Sequence, residues 1–214
     1  MAGFTLRAAR EADMPEIARI ATHYILNTVI TFHEEVQPVD VYAKAFHSCQ
    51  ALGLPYLVAV KPSKEDADRG KDAGNDAGTK EAPNETVIGY AYANGYRAER
   101  MGYRFASELS IFCDPGYTGC GVGSRLLGEL LAILKTPSSF LTAPYNGSYP
   151  AGIEPRKVRQ LISVMSIDVT GKREGKALQG FYESFGFVFR GRLVEIGYKF
   201  GRWIDTVELQ YTFY

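Results

Sequence analysis

Three alternate glycines, Gly119, Gly121 and Gly123, sit between an apolar run and a helix-like run in this 214-residue chain. Glycines spaced this way let backbone N–H groups converge on an anion with no Cβ in the way, and a following helix adds its positive dipole end. A pyrophosphate or phosphate is the natural occupant of such a bend, from Thr118 through Gly119, Cys120, Gly121, Val122 and Gly123 to Ser124. An empty tight turn would use the same residues. Two familiar phosphate motifs are excluded. A dinucleotide fingerprint needs a third glycine at the sixth position, and counting from Gly119 that position is Ser124. A Walker loop fails at Gly175-Lys176, which is followed by Ala177 and has Thr170 where the earlier glycine should stand.

The second chemical feature is Glu108, a carboxylate inside an otherwise apolar strand pattern. Such a group is costly unless it moves protons or has a cationic partner, and Arg100 and Arg104 are near enough in sequence to supply one. Arg97 joins these two in a basic stretch before Glu108, and Arg is the side chain that grips carboxylates in a bidentate manner. Cys120 falls at a helix start, where a thiol pKa can drop and oxidation becomes conceivable. His23, His33 and His47 have no spacing that suits a metal.

The elements that must position these residues can be read from periodicity. Residues 4–7 read as a strand. Asp13-Met14-Pro15-Glu16 carries the marks of a helix start, with Asp as cap and Glu three residues on. Ile17, Ile20, Ala21 and Tyr24 then form one apolar face. Asp40 to Leu52 fits a second helix, ended by Gly53, and Tyr56 to Val60 a buried strand. Residues 61–86 hold no Val, Ile, Leu, Met or aromatic side chain, so a flexible loop is expected there. Strands are expected from Val87 to Ala93 and from Tyr103 to Cys113, then a helix through Val122, Leu126, Leu127, Leu130 and Leu134. Residues 136–155, rich in Pro, Gly and Ser, read as a second loop. Leu161–Val169 reads as a strand, Glu174–Phe185 as a helix, and Phe187–Phe189, Leu193–Tyr198 and Trp203–Phe213 as strands. This order is mixed α/β in a single domain, residues 1–214.

Composition excludes several classes. Lys+Arg and Asp+Glu are both 24, so nothing marks a chain built to coat nucleic acid or an acidic membrane face. No apolar run reaches the ~18 residues that span a bilayer. The N-terminal residues show no signal-peptide pattern. Three widely spaced cysteines, Cys49, Cys113 and Cys120, read as reduced thiols of a cytoplasmic protein.

The unit from Ile111 to Leu127 resembles the acetyl-CoA-binding motif of the GNAT acetyltransferases, Arg/Gln-x-x-Gly-x-Gly/Ala. Gly121 and Gly123 match it, and Thr118 replaces the Arg or Gln. Three further segments are similar to the phosphinothricin acetyltransferase branch: Leu6–Met14 through His23-Tyr24-Ile25 to Thr31-Phe32; Tyr103–Phe112; and Phe181–Phe187 followed by Gly197–Asp205. They cover most of the chain outside 61–86 and 136–155.

The resemblance implies a GNAT-like, mostly antiparallel central sheet of about seven strands, with helices on both faces and two parallel strands splayed near the site. It implies acetyl-CoA as cosubstrate, no metal, a small-molecule amine as acceptor and a homodimer. The implied reaction is direct acetyl transfer to an amino-acid-like substrate of the phosphinothricin or methionine sulfoximine type. Other amines (a polyamine, an aminoglycoside, a peptide N-terminus) and a non-catalytic acyl-CoA-binding module are the alternatives. By position Glu108 becomes the general base and Tyr182 the residue facing the coenzyme sulfur. Ile111, Phe112 and Cys113 become the strand that pairs with the pantetheine arm, and the 118–124 bend holds the diphosphate. Phe32, Arg97, Arg100 and Tyr103 become the acceptor side. Gly175 stands where the superfamily often has a coenzyme-touching Asn.

Overall fold

The computed structural model describes residues 3–62 and 85–214. Seven strands form one sheet: β1 (Thr5–Ala8), β2 (Tyr56–Pro62), β3 (Glu85–Gly95), β4 (Ala106–Cys113), β5 (Gln160–Ser166), β6 (Val188–Lys199) and β7 (Arg202–Thr212). Their spatial order is β1-β2-β3-β4-β5-β7-β6. Every pair is antiparallel except β4 with β5. Among the described residues four α-helices accompany them: α1 (Met14–Asn27), α2 (Val39–Ala51), α3 (Val122–Lys135) and α4 (Lys176–Ser184).

Strand alternation decides which helix meets which face. A Cβ at Gly89 would lie 2.9 Å from Val122 Cγ1 and 3.2 Å from Leu126 Cδ1, so this side of β3 faces α3 and needs glycine to admit it. Tyr90 and Tyr92, one residue out of phase with Gly89 and Ala91, face α1 and α2 on the other side. Leu126, Leu127 and Leu130 of α3 are fully buried. Truncating one of them to Ala is expected to cost about 2–5 kcal/mol.

The parallel contact is short. β4 and β5 pair only at Ala106, Ser107 and Glu108 against Gln160, Leu161 and Ile162. Beyond Glu108 the two strands part, while β4 stays paired with β3 as far as Cys113. This splay is the one that the sequence resemblance implies, and it leaves a strand edge inside the molecule.

Several boundaries differ from expectation. Asp13 does not cap α1 through its side chain: its carboxylate takes a bidentate pair from Arg7, Nη1 and Nη2 both at 2.8 Å, and accepts Arg10 N–H at 2.7 Å. Arg7 also holds Glu85 at 2.8 Å, so a three-residue ion network claimed the expected cap. The expected loop at 61–86 is trimmed at both ends, because Lys61 and Pro62 extend β2 and Glu85 and Thr86 open β3; its middle lies outside the described residues. The segment 136–155 is more than a polar loop. It starts with a short 3-10 turn, Pro137–Leu141, that buries Phe140, and Tyr145 and Tyr149 pack against the core. The Tyr145 phenol donates to Glu129 of α3. Met101–Tyr103 is a 3-10 turn, so β4 begins at Ala106 rather than Tyr103. β5 ends at Ser166, and the two expected segments from Phe187 to Tyr198 join as one strand, β6.

Candidate active site

The glycine bend is made by backbone conformation. Gly119 and Gly121 have φ of +76° and +82°, and nothing lies within 4 Å of a Cβ built on either. Left-handed backbone is what these two positions require glycine for. Gly121 is the cap residue of α3 with no side-chain cap bond, so the first N–H groups of this 14-residue helix are open to a ligand. The turn before it is fixed from α1: Asp114 Oδ1 accepts Gly116 N–H at 2.8 Å, and Asp114 Oδ2 takes Arg19 Nη1 at 2.6 Å. Thr118 donates its hydroxyl to Pro115 O at 3.1 Å, so this residue offers the bend backbone and no charge.

A cavity of about 760 Å³ runs from this bend to Glu108. Ile111, Phe112, Cys113, Thr118, Gly119, Gly121, Gly123 and Ser124 all line it, as do Glu108 and Tyr182. Two residues expected there do not line it. Val122 is buried beneath β3, against Gly89, and Cys120 is exposed with its thiol turned toward Thr118 O.

The β4 edge supplies the next component. Asp114 N–H donates to Ile88 O, and with Cys113 opposite Gly89 this fixes the alternation of the ladder. Asp114, Phe112 and Ser110 exchange bonds with β3, so the N–H and C=O groups of Ile111 and Cys113 point to the open side left by the splay. The Cys113 carbonyl already accepts the Tyr24 phenol at 2.6 Å.

Glu108 is exposed, and it lines the cavity. Enough protein still surrounds it to push its carboxyl above the usual carboxylate range, and repulsion from Glu208 adds to the effect. No ion pair is made by Glu108 among the described residues: Arg104 donates to Met101 O, and Arg100 lies 3.6 Å from Glu99. The alternative of a structural pair with either arginine is therefore not realised. Tyr182, on α4, is 5% exposed. Burial raises its phenol to about 12, with Cys113 adding to the shift and Ser163 opposing it.

The expected acceptor-side residues lie elsewhere. Arg97 adopts a left-handed φ of 46°, and its guanidinium sits 5.3 Å and 5.9 Å from the ring centres of Tyr96 and Tyr103. Neither these residues nor Arg100 line the cavity. Phe32 rests on the far side of its own loop, so close that a Cβ at Gly197 would lie 2.3 Å from its Cζ. Ile30, Thr31 and His33 of the same loop line the cavity instead. Gly175 has φ +81° with the Asp168 backbone crowding its missing Cβ, so an Asn-like side chain has no room there. Sequence reasoning also missed Tyr24, Tyr42, Tyr56, Tyr90 and Tyr92, all of them cavity-lining. The period-2 pairing of Tyr90 and Tyr92 with Phe112 and Ser110 was the available signal.

Residues 54–146 match the model of the Acetyltransferase (GNAT) family. A phosphinothricin N-acetyltransferase from Alcaligenes faecalis is 34% identical over 209 residues, covering 96% of this chain and 81% of that protein. An L-methionine sulfoximine/L-methionine sulfone acetyltransferase from Salmonella typhimurium is 24% identical, with 96% and 92% covered. A solved phosphinothricin acetyltransferase from Sinorhizobium meliloti, in complex with AcCoA, is 30% identical with a TM-score of 0.68, covering 98% of this chain and 88% of that one. The chain belongs to the GNAT acetyltransferases, in the phosphinothricin N-acetyltransferase-like branch. It is an N-acetyltransferase whose cosubstrate is acetyl-CoA. The bend fits a diphosphate: no side chain caps the first N–H groups of α3, and nothing lies within 4 Å of a Cβ built on Gly119 or Gly121. Among the described residues no group of three or more His, Cys, Asp and Glu is placed to hold a metal, and no helix is long and apolar enough to cross a membrane.

Proposed function

We propose that this N-acetyltransferase acetylates the free amine of a small amino-acid-like molecule, of the type represented by phosphinothricin and methionine sulfoximine. The observation that carries the reading is a single continuous cavity lined by the glycine bend, the free edge of β4, Glu108 and Tyr182. Relatives named for those substrates support the acceptor class.

In this reading the thioester supplies an activated acetyl group. The amine arrives mostly protonated, since an alkyl ammonium titrates near about 10. Glu108 takes that proton, directly or through one water, and its raised pKa brings it nearer the working pH of a base. The neutral nitrogen then attacks the carbonyl: a C–N bond forms, the C–S bond breaks, the sulfur departs as thiolate, and the second nitrogen-bound proton passes to solvent as the amide forms. The Ile111 N–H, which the β3–β4 alternation turns to the open side, donates to the developing oxyanion in this reading. Tyr182 supports the leaving sulfur. An ordinary thiol titrates near about 8.5, well below a phenol at about 12. Tyr182 therefore donates a hydrogen bond to the thiolate and keeps its proton.

The reading extends to assembly and place. Residues 1–214 act as one domain, in the cytoplasm, as a homodimer. β6 is an edge strand bearing exposed Val194 and Ile196, 69% and 58% accessible, and Trp203 beside it is 61% accessible. A second copy is the natural cover for such an edge. Light scattering should give twice the 23.7 kDa chain mass.

The deciding experiment mixes the protein with acetyl-CoA and a panel of amines and follows free thiol. Amino-acid-like amines should be acetylated in preference to polyamines, aminoglycosides and peptide N-termini. Faster turnover of any of those three classes would overturn the acceptor assignment.

A further inference from the structure

Ser163 is out of character with its surroundings. It lies on β5, and side chains alternate along a strand, so Leu161 and Met165 share its face. Both are buried, as is Leu209, its cross-strand neighbour on β7, and Ser163 itself is 1% exposed. A hydroxyl in so apolar a layer costs free energy unless a partner holds it. An aliphatic side chain would fill the position without that cost.

The partner is Tyr182. The two side chains hydrogen-bond, and the serine's donation opposes the rise that burial imposes on the phenol. The contact falls at a particular place. β4 and β5 last pair at Glu108 and Ile162, so Ser163 is the first β5 residue past the fork where the strands part. The Tyr182 ring packs against Phe181 and Phe187, with ring centres 5.4 Å and 5.3 Å away. Phe187 N–H donates to the Tyr182 carbonyl at 3.3 Å, which ties the end of α4 to the chain that follows it. Tyr182 lines the cavity and Ser163 does not. The serine therefore meets the phenol from within the protein, with the cavity beyond the ring.

Two hydroxyls in contact must divide their protons. A phenol has one proton to give and an oxygen that accepts; a serine hydroxyl also gives one and accepts. If Tyr182 spent its proton on Ser163, none would be left for a group in the cavity. If Ser163 gives its proton to the phenol oxygen, the Tyr182 proton is free to face the cavity. Donation onto that oxygen also polarises the phenol O–H and makes it the stronger donor.

We propose that Ser163 is a positioning residue for acetyl transfer: its hydroxyl donates to the Tyr182 oxygen and so turns the phenol proton toward the departing coenzyme sulfur. Neither hydroxyl gives up its proton in this step. The proposal rests on the acetyl-transfer reading, in which Tyr182 supports the thiolate, and deepens it. It also gives a reason for a serine in an apolar layer of β5.

The test measures kcat and both KM values by thiol release with acetyl-CoA and L-methionine sulfone. It compares the parent with Ser163→Ala, Ser163→Thr, Tyr182→Phe and the variant carrying both Ser163→Ala and Tyr182→Phe, each checked for folding by thermal melt. Ser163→Ala should lower kcat by about three- to tenfold, the worth of one ordinary hydrogen bond. Both KM values should stay within about twofold of the parent's. Ser163→Thr, which keeps the hydroxyl, should recover most of the loss. The doubly substituted enzyme should match Tyr182→Phe alone, because without the phenol the serine has nothing to direct. Three results would overturn the assignment while leaving acetyl transfer intact: the parent's kcat in Ser163→Ala, an equal loss from Ser163→Ala with and without the phenol, or a Ser163→Thr enzyme as slow as Ser163→Ala. Tyr182→Phe at the parent's rate would remove the phenol, and Ser163 with it, from the support of the sulfur. Absence of thiol release by the parent with every amine would instead overturn the reading beneath it.

Discussion

The two limbs of one cavity are built in opposite ways. The end of the cavity proposed for the coenzyme is lined mainly by one stretch, Ile111 to Ser124, in which a strand edge, a bend and a helix N-terminus follow one another. The end proposed for the acceptor is assembled from α1, α2, β2, β3 and β4, with a rim from the loop at residues 30–33. The first is lined by glycines and unpaired backbone groups, the second by phenol rings. A coenzyme that never changes can be held by fixed backbone, whereas an acceptor is chosen by side chains that any of five elements can alter.

The largest test of this division sits at the junction. Replacing Glu108 with Gln should cut turnover at neutral pH by about 10²–10³-fold, within the range of a lost general base. The pH profile fixes the assignment. A base works only when deprotonated, and partial desolvation by the surrounding protein raises the Glu108 pKa, so the parent rate should fall as pH drops through that raised value. The variant should lack that limb. A Glu108→Gln enzyme with the parent's rate and profile would remove the carboxylate from the mechanism.

Tyr182→Phe comes next. Losing a hydrogen bond to a charged sulfur is worth about 1.5–3 kcal/mol, or roughly 10–100-fold in kcat. Because the phenol titrates at about 12, it is protonated across the working range, so the variant's pH profile should be lower but unchanged in shape. A new break in the profile would show that Tyr182 gives up its proton after all.

The glycines test the coenzyme limb alone. Gly121 has φ +82° with open space around its missing Cβ, so Gly121→Ala meets only the backbone penalty of about 1–2 kcal/mol. Gly123 lies in α3, and a Cβ there meets Cys113 Sγ at 3.4 Å, an ordinary contact. Gly123→Ala should therefore be near neutral in thermal melts, while Gly121→Ala should lower the melting temperature by several degrees. Both should raise the KM for acetyl-CoA, about tenfold for Gly121→Ala, and leave the KM for the amine alone. A change in amine KM instead would mean that the limbs are not separable.

How much the sequence discloses follows the same division. The bend at Gly119–Gly123, the helix behind it and Glu108 are contiguous or periodic, and short-range rules suffice to read them. The order of strands and helices is legible for the same reason. What stays hidden depends on partners distant in sequence. Asp13 reads as a helix cap until Arg7 and Glu85 meet beside it. Residues 136–155 read as a polar loop because Phe140, Tyr145 and Tyr149 are too sparse to show a period, yet the core holds all three. Phe32 and the arginines before Glu108 read as acceptor contacts because sequence proximity to a site does not reveal where a loop turns. The tyrosine wall needs the register of β3 on β4, which no single strand contains.

The smallest expected effect concerns the acceptor rim, whose anchors are the most remote of all. Lys199, at the end of β6, is 1% exposed and donates through Nζ to Thr31 O at 2.7 Å. Ser166 Oγ donates to Val29 O at 2.6 Å, and Phe32 lies on Gly197. The loop that brings Ile30, Thr31 and His33 to the cavity is thus held by residues more than a hundred positions later in the chain. Among the described residues, the hydrogen bond from Lys199 to the cavity rim goes to that backbone carbonyl, so it acts as a positioning residue. Lys199→Met keeps the aliphatic bulk and removes the donor, leaving Thr31 O short of a partner. The KM for the amine should rise by about three- to tenfold, matching about 1 kcal/mol for an ordinary hydrogen bond. The KM for acetyl-CoA and the pH profile should stay as they were. Lys199→Arg, which retains a donor, should recover part of the loss. If the two KM values rise together, or if Arg behaves like Met, Lys199 supports the fold at large rather than the acceptor rim.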